Sequence, residues 1–167
     1  MDFKDTPEQA KFRKTCREWL EKNAKLKTGV EKNEFANIDF LQVAKDWQKK
    51  KYDAGWAMLH WSKEFGGIGA SAIERIIWAE EESKFNVPKG IFEIGLGMAG
   101  PVMMEYATDE QKARYLPAMA EGKEIWCQLF SEPSAGSDVA GLRSKAIKDG
   151  DNSVSYTHLR AHETSLH

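Results

Sequence analysis

The chain has 167 residues, enough for one ordinary domain or for one domain and part of another. It is 41% hydrophobic and 30% charged, which permits a real core and a soluble surface; its net charge of −2 gives no basic field for nucleic acid and no acidic tail. The apolar runs are too short for a bilayer and the start, MDFKDTPEQAKFRK, has no signal-peptide core, while Cys16 and Cys127 fit reduced thiols of a cytoplasmic protein, not a disulfide scaffold or a CxxC metal site.

Helices come first along the chain. Thr6-Pro7-Glu8-Gln9 predicts a helix start, with Thr as N-cap, Pro at the first helical position and Gln three after the cap. Phe12, Cys16, Trp19 and Leu20 then share one face, and the helix should fade near Asn23. Residues 25–37 are charged, carry Gly29 and lack periodicity, so a loop is expected there. A second helix is expected over 38–54, with Leu41, Ala44, Trp47 and Gln48 as its stripe. Its Lys49-Lys50-Lys51 run reads as a solvated end that suits the helix C-terminus, in preference to a nucleic-acid patch.

Gly66, Gly67 and Gly69 interrupt the helical pattern. The spacing is GGxG, without GxGxxG or a Walker lysine, so a packing loop is preferred to a phosphate cradle. Ser71-Ala-Ile-Glu74 predicts a capping box, followed by a helix with Ile73, Ile76, Ile77 and Glu80 on one face. The adjacent carboxylates Glu80, Glu81 and Glu82 point in different directions on a helix, so they are expected to face solvent. IFEIGLGMAGPVMMEY, residues 91–106, is apolar and rich in Gly and Met; Pro101 implies a kink or a new helix start, and the Met cluster reads as adaptable core. Thr108-Asp-Glu-Gln111 predicts one more capping box, on a helix through Leu116 that ends before Gly122. The first 123 residues thus read as a helical bundle.

The period changes at Ile125. IWCQLF, residues 125–130, reads as a strand apolar on both faces, in which Gln128 needs polar partners or a ligand. The loop SEPSAGSDVAG follows, then RSKAIK as a returning strand and Asp149-Gly150-Asp151 as a hairpin turn. Helices followed by strands point to a second, β-rich domain. In the loop, Ala135, Gly136 and Ser137 offer N–H donors with little bulk, and Ser131 and Ser137 offer hydroxyls. Glu132 and Asp138 would repel a phosphate unless they turn away or cap backbone. A ligand loop and an ordinary turn both satisfy these residues.

WCQLFSEPSAGSDVAGLR, residues 126–143, resembles the signature of the acyl-CoA dehydrogenase family. DTPEQAKFRKTCREWLEKN resembles that family's first helix, and HWSKEFGGIGAS its Trp-Pro-Glu-Phe-Gly-Gly loop, with Ser62 where the family usually has proline. GLGMAGPVMMEYATDEQKARYLPAMAEGKEIWCQLFSEP resembles the helix, loop and strand entering its middle domain. The resemblance covers about residues 2–152 and implies an α+β fold: an N-terminal all-α bundle over 1–124, then the first strands of a β-barrel-like middle domain over 125–152. It implies FAD, an acyl-CoA substrate, transfer of electrons to an electron-transfer flavoprotein, and a homodimer or homotetramer. It also implies that a C-terminal glutamate removes the α-proton while the β-hydrogen leaves as hydride, giving a trans-2-enoyl-CoA in fatty-acid metabolism.

Residue by residue, the resemblance assigns Gln128, Leu129, Phe130 and Ser131 to a strand lining the flavin, with the Ser131 hydroxyl near flavin N5. Gly136 and Ser137 join that cradle, and Ser137 also matches a residue near the pantetheine and phosphate part of the thioester. Met98 and Val102 fall in the segment matching the helical wall of the acyl pocket. Glu132, Pro133 and Asp138 read as loop-shaping, and Ser134 stands where glycine or alanine is more usual. No catalytic residue and no metal ligand is assigned. After IKDGD the chain departs from the family's tryptophan strand and Asn-Gly turn, so residues 153–167, with His158, His162 and His167, are expected to be non-native sequence. Such a fragment should hold FAD weakly or not at all and should not turn over substrate. The alternatives are a non-catalytic helical domain that binds a partner or an acyl-CoA, and an acyl-CoA oxidase-type flavoenzyme.

Overall fold

Three capping boxes set three helix starts. In the computed structural model, which describes residues 4–28, 39–133, 135–155 and 160–161, helix α1 spans Pro7–Asn23, with Thr6 and Gln9 capping each other reciprocally. Strand β1 is Lys25–Leu26, and α2 is Phe40–Asp53, capped by Asp39. Helix α3, Ala72–Glu82, carries the Ser71–Glu74 box; strand β2, Phe85–Asn86, follows. A π turn over Gly95–Ala99 runs into α4, Gly100–Tyr106. Helix α5, Asp109–Glu121, carries the Thr108–Gln111 box and ends at Gly122 in the left-handed conformation that favours glycine. Beyond it lie strands β3 (Leu129–Ser131), β4 (Ala146–Asp149), β5 (Asn152–Ser155) and β6 (Arg160–Ala161). This is the expected α+β fold class, with the short strands β1 and β2 set among the helices.

The chain divides into two units, Met1–Trp126 and Cys127–His167. The first has two apolar clusters. One joins α1, α2 and α3 through Cys16, Leu20, Trp47, Trp78 and Phe85; Trp19, Trp56 and Trp78 meet ring to ring there, with Trp56 stacked on Trp78 at 4.7 Å. The other packs Met58, Trp61 and Leu96 against Leu116 and Met119 of α5. The glycine loop is a packing loop: a Cβ on Gly67 would fall 2.1 Å from the Trp61 carbonyl oxygen.

Several expectations in the first unit need correction. Lys25–Leu26 is not loop but pairs antiparallel with Phe85–Asn86, a contact set by a partner sixty residues away and invisible to local pattern. Leu41 is exposed, and Ile73 and Ile76 are 47% and 53% exposed. Of the expected face only Ile77 is buried, and helix α3 turns Trp78 and Glu81 inward beside it. Glu81 is fully buried, not solvent-facing, because Arg17 (2.9 Å), Arg13 (3.1 Å) and Lys84 (2.7 Å) surround it. The lysine run is also partly committed: Lys51 is mostly buried and lies 3.7 Å from Glu82.

In the second unit the strand begins only at Leu129; residues 125–128 are not strand, and Ile125 and Leu129 are exposed. Residues 146–149 do not return to β3 but form a hairpin with β5, while β3 pairs with β6. The hairpin turns through two residues, Gly150 and Asp151, with Gly150 at positive φ, as two-residue loops demand. Of residues 153–167, the stretches 156–159 and 162–167, with all three of their histidines, lie outside the described residues.

Candidate functional site

The first candidate surface is the Gly/Met segment. Met98 and Val102 stand about one turn apart and are 49% and 59% exposed, so the Met cluster is not wholly core. Met103 and Met104 do pack on the second cluster. Beneath the exposed side chains the backbone is pinned. Gly95 faces Met119 and Trp126 so closely that a Cβ would sit 3.3 Å from the Met119 side chain, and a Cβ on Gly100 would meet the Trp61 ring at 2.4 Å. Trp61 Nε1–H donates to the Leu96 carbonyl at 2.9 Å, and His60 Nε2 lies 3.0 Å from the same oxygen. Burial holds the His60 imidazolium form down, so the ring is neutral near neutral pH and Nε2 carries the donated proton. A cavity of about 320 Å³ adjoins this turn, lined by Trp47, His60, Glu82, Phe92, Leu96 and Gly97 among others.

The second candidate surface is the loop after β3. Glu132 is buried and its carboxylate accepts four hydrogen bonds: two from Arg143 N–H (2.9 and 3.0 Å), one from Ser144 N–H (2.6 Å) and one from the Ser144 hydroxyl (2.5 Å). The Ser144 hydroxyl first, then these amides, lower its pKa from the ordinary carboxylate range. Glu132 and Ala135 also exchange backbone hydrogen bonds, and Asp138 accepts from Gly141 N–H at 3.2 Å. Both acidic side chains thus cap backbone, which removes the objection they raised to an anionic ligand. Ala135 spends its N–H on this turn. Gly136 and Ser137 are exposed and make no hydrogen bond among the described residues; a Cβ on Gly136 would meet open space. Gln128 is half-buried and Leu129 exposed; Phe130 and Ser131 lie in β3. Gln128 to Ser131, Gly136 and Ser137 belong to the second unit, and Met98 and Val102 to the first.

The profile of the acyl-CoA dehydrogenase N-terminal domain matches residues 6–123. The chain belongs to the acyl-CoA dehydrogenase family. Within the family, acyl-CoA dehydrogenase IpdE1 of Mycolicibacterium smegmatis is 35% identical over 157 residues, 89% of this chain and 38% of that protein. A short-chain-specific acyl-CoA dehydrogenase of Clostridium acetobutylicum is 32% identical over 92% of this chain and 39% of its own length. Among solved structures, the ChsE4–ChsE5 complex from Mycobacterium tuberculosis matches at a TM-score of 0.71 and 32% identity, over 93% of this chain and 38% of that one. The chain therefore spans 38% to 39% of the length of these relatives. The residues that reading the sequence missed are Glu81, His60 and Trp61. For Trp61 there was a trace: Pro101 stands five residues after Leu96 and cannot donate a backbone hydrogen bond.

Proposed function

We propose that the protein carrying this chain is an FAD-dependent acyl-CoA dehydrogenase, oxidising an acyl-CoA thioester to a trans-2-enoyl-CoA. The observation that carries this reading is the family match over residues 6–123, followed by a loop whose acidic side chains, Glu132 and Asp138, are spent on capping backbone. That loop suits FAD and a thioester ligand: Gly136 and Ser137 offer N–H groups unpaired among the described residues, and a hydroxyl, in the loop after a short strand. FAD, when bound, supplies the acceptor for the β-hydrogen as hydride at N5. Gln128 to Ser131 line the flavin, and the Ser131 hydroxyl is the donor assigned to N5, where it would stabilise arriving charge. Ser137 faces the pantetheine end of the thioester. Met98 and Val102 supply an apolar wall that takes the acyl chain and excludes water.

The base that removes the α-proton belongs to the part of the family fold that this match does not span. Electron-transfer flavoprotein as acceptor, a homo-oligomeric assembly and a cytoplasmic setting complete the reading. Among the described residues no helix is long and apolar enough to cross a membrane. The test is turnover by the FAD-loaded protein, with a dye as electron acceptor and enoyl-CoA as the product followed. Formation of trans-2-enoyl-CoA is expected, and Ser131→Ala should slow it about 10²-fold. Bound flavin with no enoyl product from any acyl-CoA tried would overturn the reading, and electron delivery to oxygen alone would make the protein an oxidase.

A further inference from the structure

The turn at residues 95–99 leaves one carbonyl without a backbone partner. In an ordinary α-helix the Leu96 oxygen would accept from the N–H of Gly100. Here Gly100 N–H goes to Gly95 instead, the π register. In that register Leu96 would look to residue 101, which is proline and has no N–H. A buried carbonyl so orphaned needs other donors. It receives them from two side chains of one loop, Trp61 Nε1–H at 2.9 Å and His60 Nε2 at 3.0 Å. Since a carbonyl only accepts, His60 must donate from Nε2. The Trp61 ring also fills the space over Gly100 that a Cβ would need. The cavity beside Leu96 and Gly97 leaves the turn room to relax.

We propose that His60 and Trp61 clamp the Leu96 carbonyl to hold residues 95–99 in the π register, and so fix which side chains, Met98 and Val102 among them, form the wall that measures the acyl chain. The clamp is a specificity-positioning device, acting through the Leu96 carbonyl. Without it, Leu96 takes back the Gly100 N–H, the turn tightens to α, and the side chains ahead of Gly100 rotate relative to α4. The inference rests on the acyl-wall reading of Met98 and Val102.

The experiment is kcat/KM for straight-chain acyl-CoA thioesters of increasing length, measured on the FAD-loaded protein and its variants well below their melting temperatures. Trp61→Phe keeps an aromatic ring and removes the N–H; His60→Leu removes the second donor at a partly exposed site and decides the matter if Trp61→Phe does not fold. Met98→Trp intrudes on the wall directly. The clamp predicts that Trp61→Phe or His60→Leu changes the long-to-short ratio of kcat/KM about tenfold, the scale of a methylene's fit in an apolar pocket, mainly through KM. A merely structural role would lower the melting temperature and leave that ratio alone. If Met98→Trp changes the ratio while the folded clamp variants do not, the clamp is wrong and the acyl wall stands. If Met98→Trp also leaves the ratio unchanged, the wall reading fails and takes the clamp with it.

Discussion

Glu81 shows how a single side chain can contradict its sequence context. Three consecutive glutamates on a helix look like a solvated run, yet the middle one is fully buried between α1 and α3. Arg17 above all, with Lys84 and Arg13, holds its carboxyl down to about 2 from an ordinary 4.5. The ionised form is therefore favoured by folding. The stability it supplies is complete above pH 4.5 and is lost as pH falls toward 2. Glu81→Gln should cost about 3 kcal/mol at neutral pH, since it removes the buried charge that Arg17 and Lys84 answer, while Arg13 keeps Asp5 and Glu80. Urea unfolding of the variant should also show a shallower loss of stability over that acid range. The two thiols separate in the same way. Burial pushes Cys16 up to about 12, whereas Cys127 is exposed. A thiol reagent at neutral pH should label Cys127 at once and Cys16 only on unfolding.

At the scale of elements, what was legible was local chemistry. Thr6, Ser71 and Thr108 announced their helices because a capping box is complete within four residues. Thr108→Ala should cost about 1 kcal/mol by loss of the hydrogen bond it accepts from Gln111 N–H. The Gly66–Gly69 loop was readable as packing, although nothing in the sequence named its partner, the backbone of Trp61. Gly67→Ala should destabilise by about 2 kcal/mol or more, seen as a fall in melting temperature, because backbone and not a flexible side chain must move. Faces were less legible. On α3 the pattern placed Ile73 and Ile76 beside Ile77, but the packing of α1 against Trp78 and Glu81 buried Ile77 and left the other two exposed. Strands β1 and β2 were invisible, and the π turn was marked only by Pro101, for a shared reason. Each is fixed by a distant partner: Phe85 for Leu26, and His60 and Trp61 for Leu96.

The whole molecule consists of unequal units. The first has two apolar clusters and interlocking tryptophans; the second has two-stranded sheets, and every residue of β4 is exposed. Paired strands of that size are marginal in water. In this chain the backbone amides of β4 and β5 should exchange with solvent far faster than those of α1, α3 and α5, a difference read by hydrogen exchange. The family resemblance was legible from residues 126–143 and the matching helices, and the family match over residues 6–123 agrees with it. The roles of individual residues were not legible from pattern alone. Before the structure, Glu132 and Asp138 argued against an anion; their hydrogen bonds to Arg143, Ser144 and Gly141 answer that argument. The most direct measurement is a crystal structure of the protein carrying this chain with FAD and an unreactive acyl-CoA analogue. The account predicts the flavin ring against residues 128–131, the pantetheine beside Ser137 and the acyl chain along Met98 and Val102. A flavin bound away from residues 128–131, or an acyl chain that avoids Met98 and Val102, would contradict it.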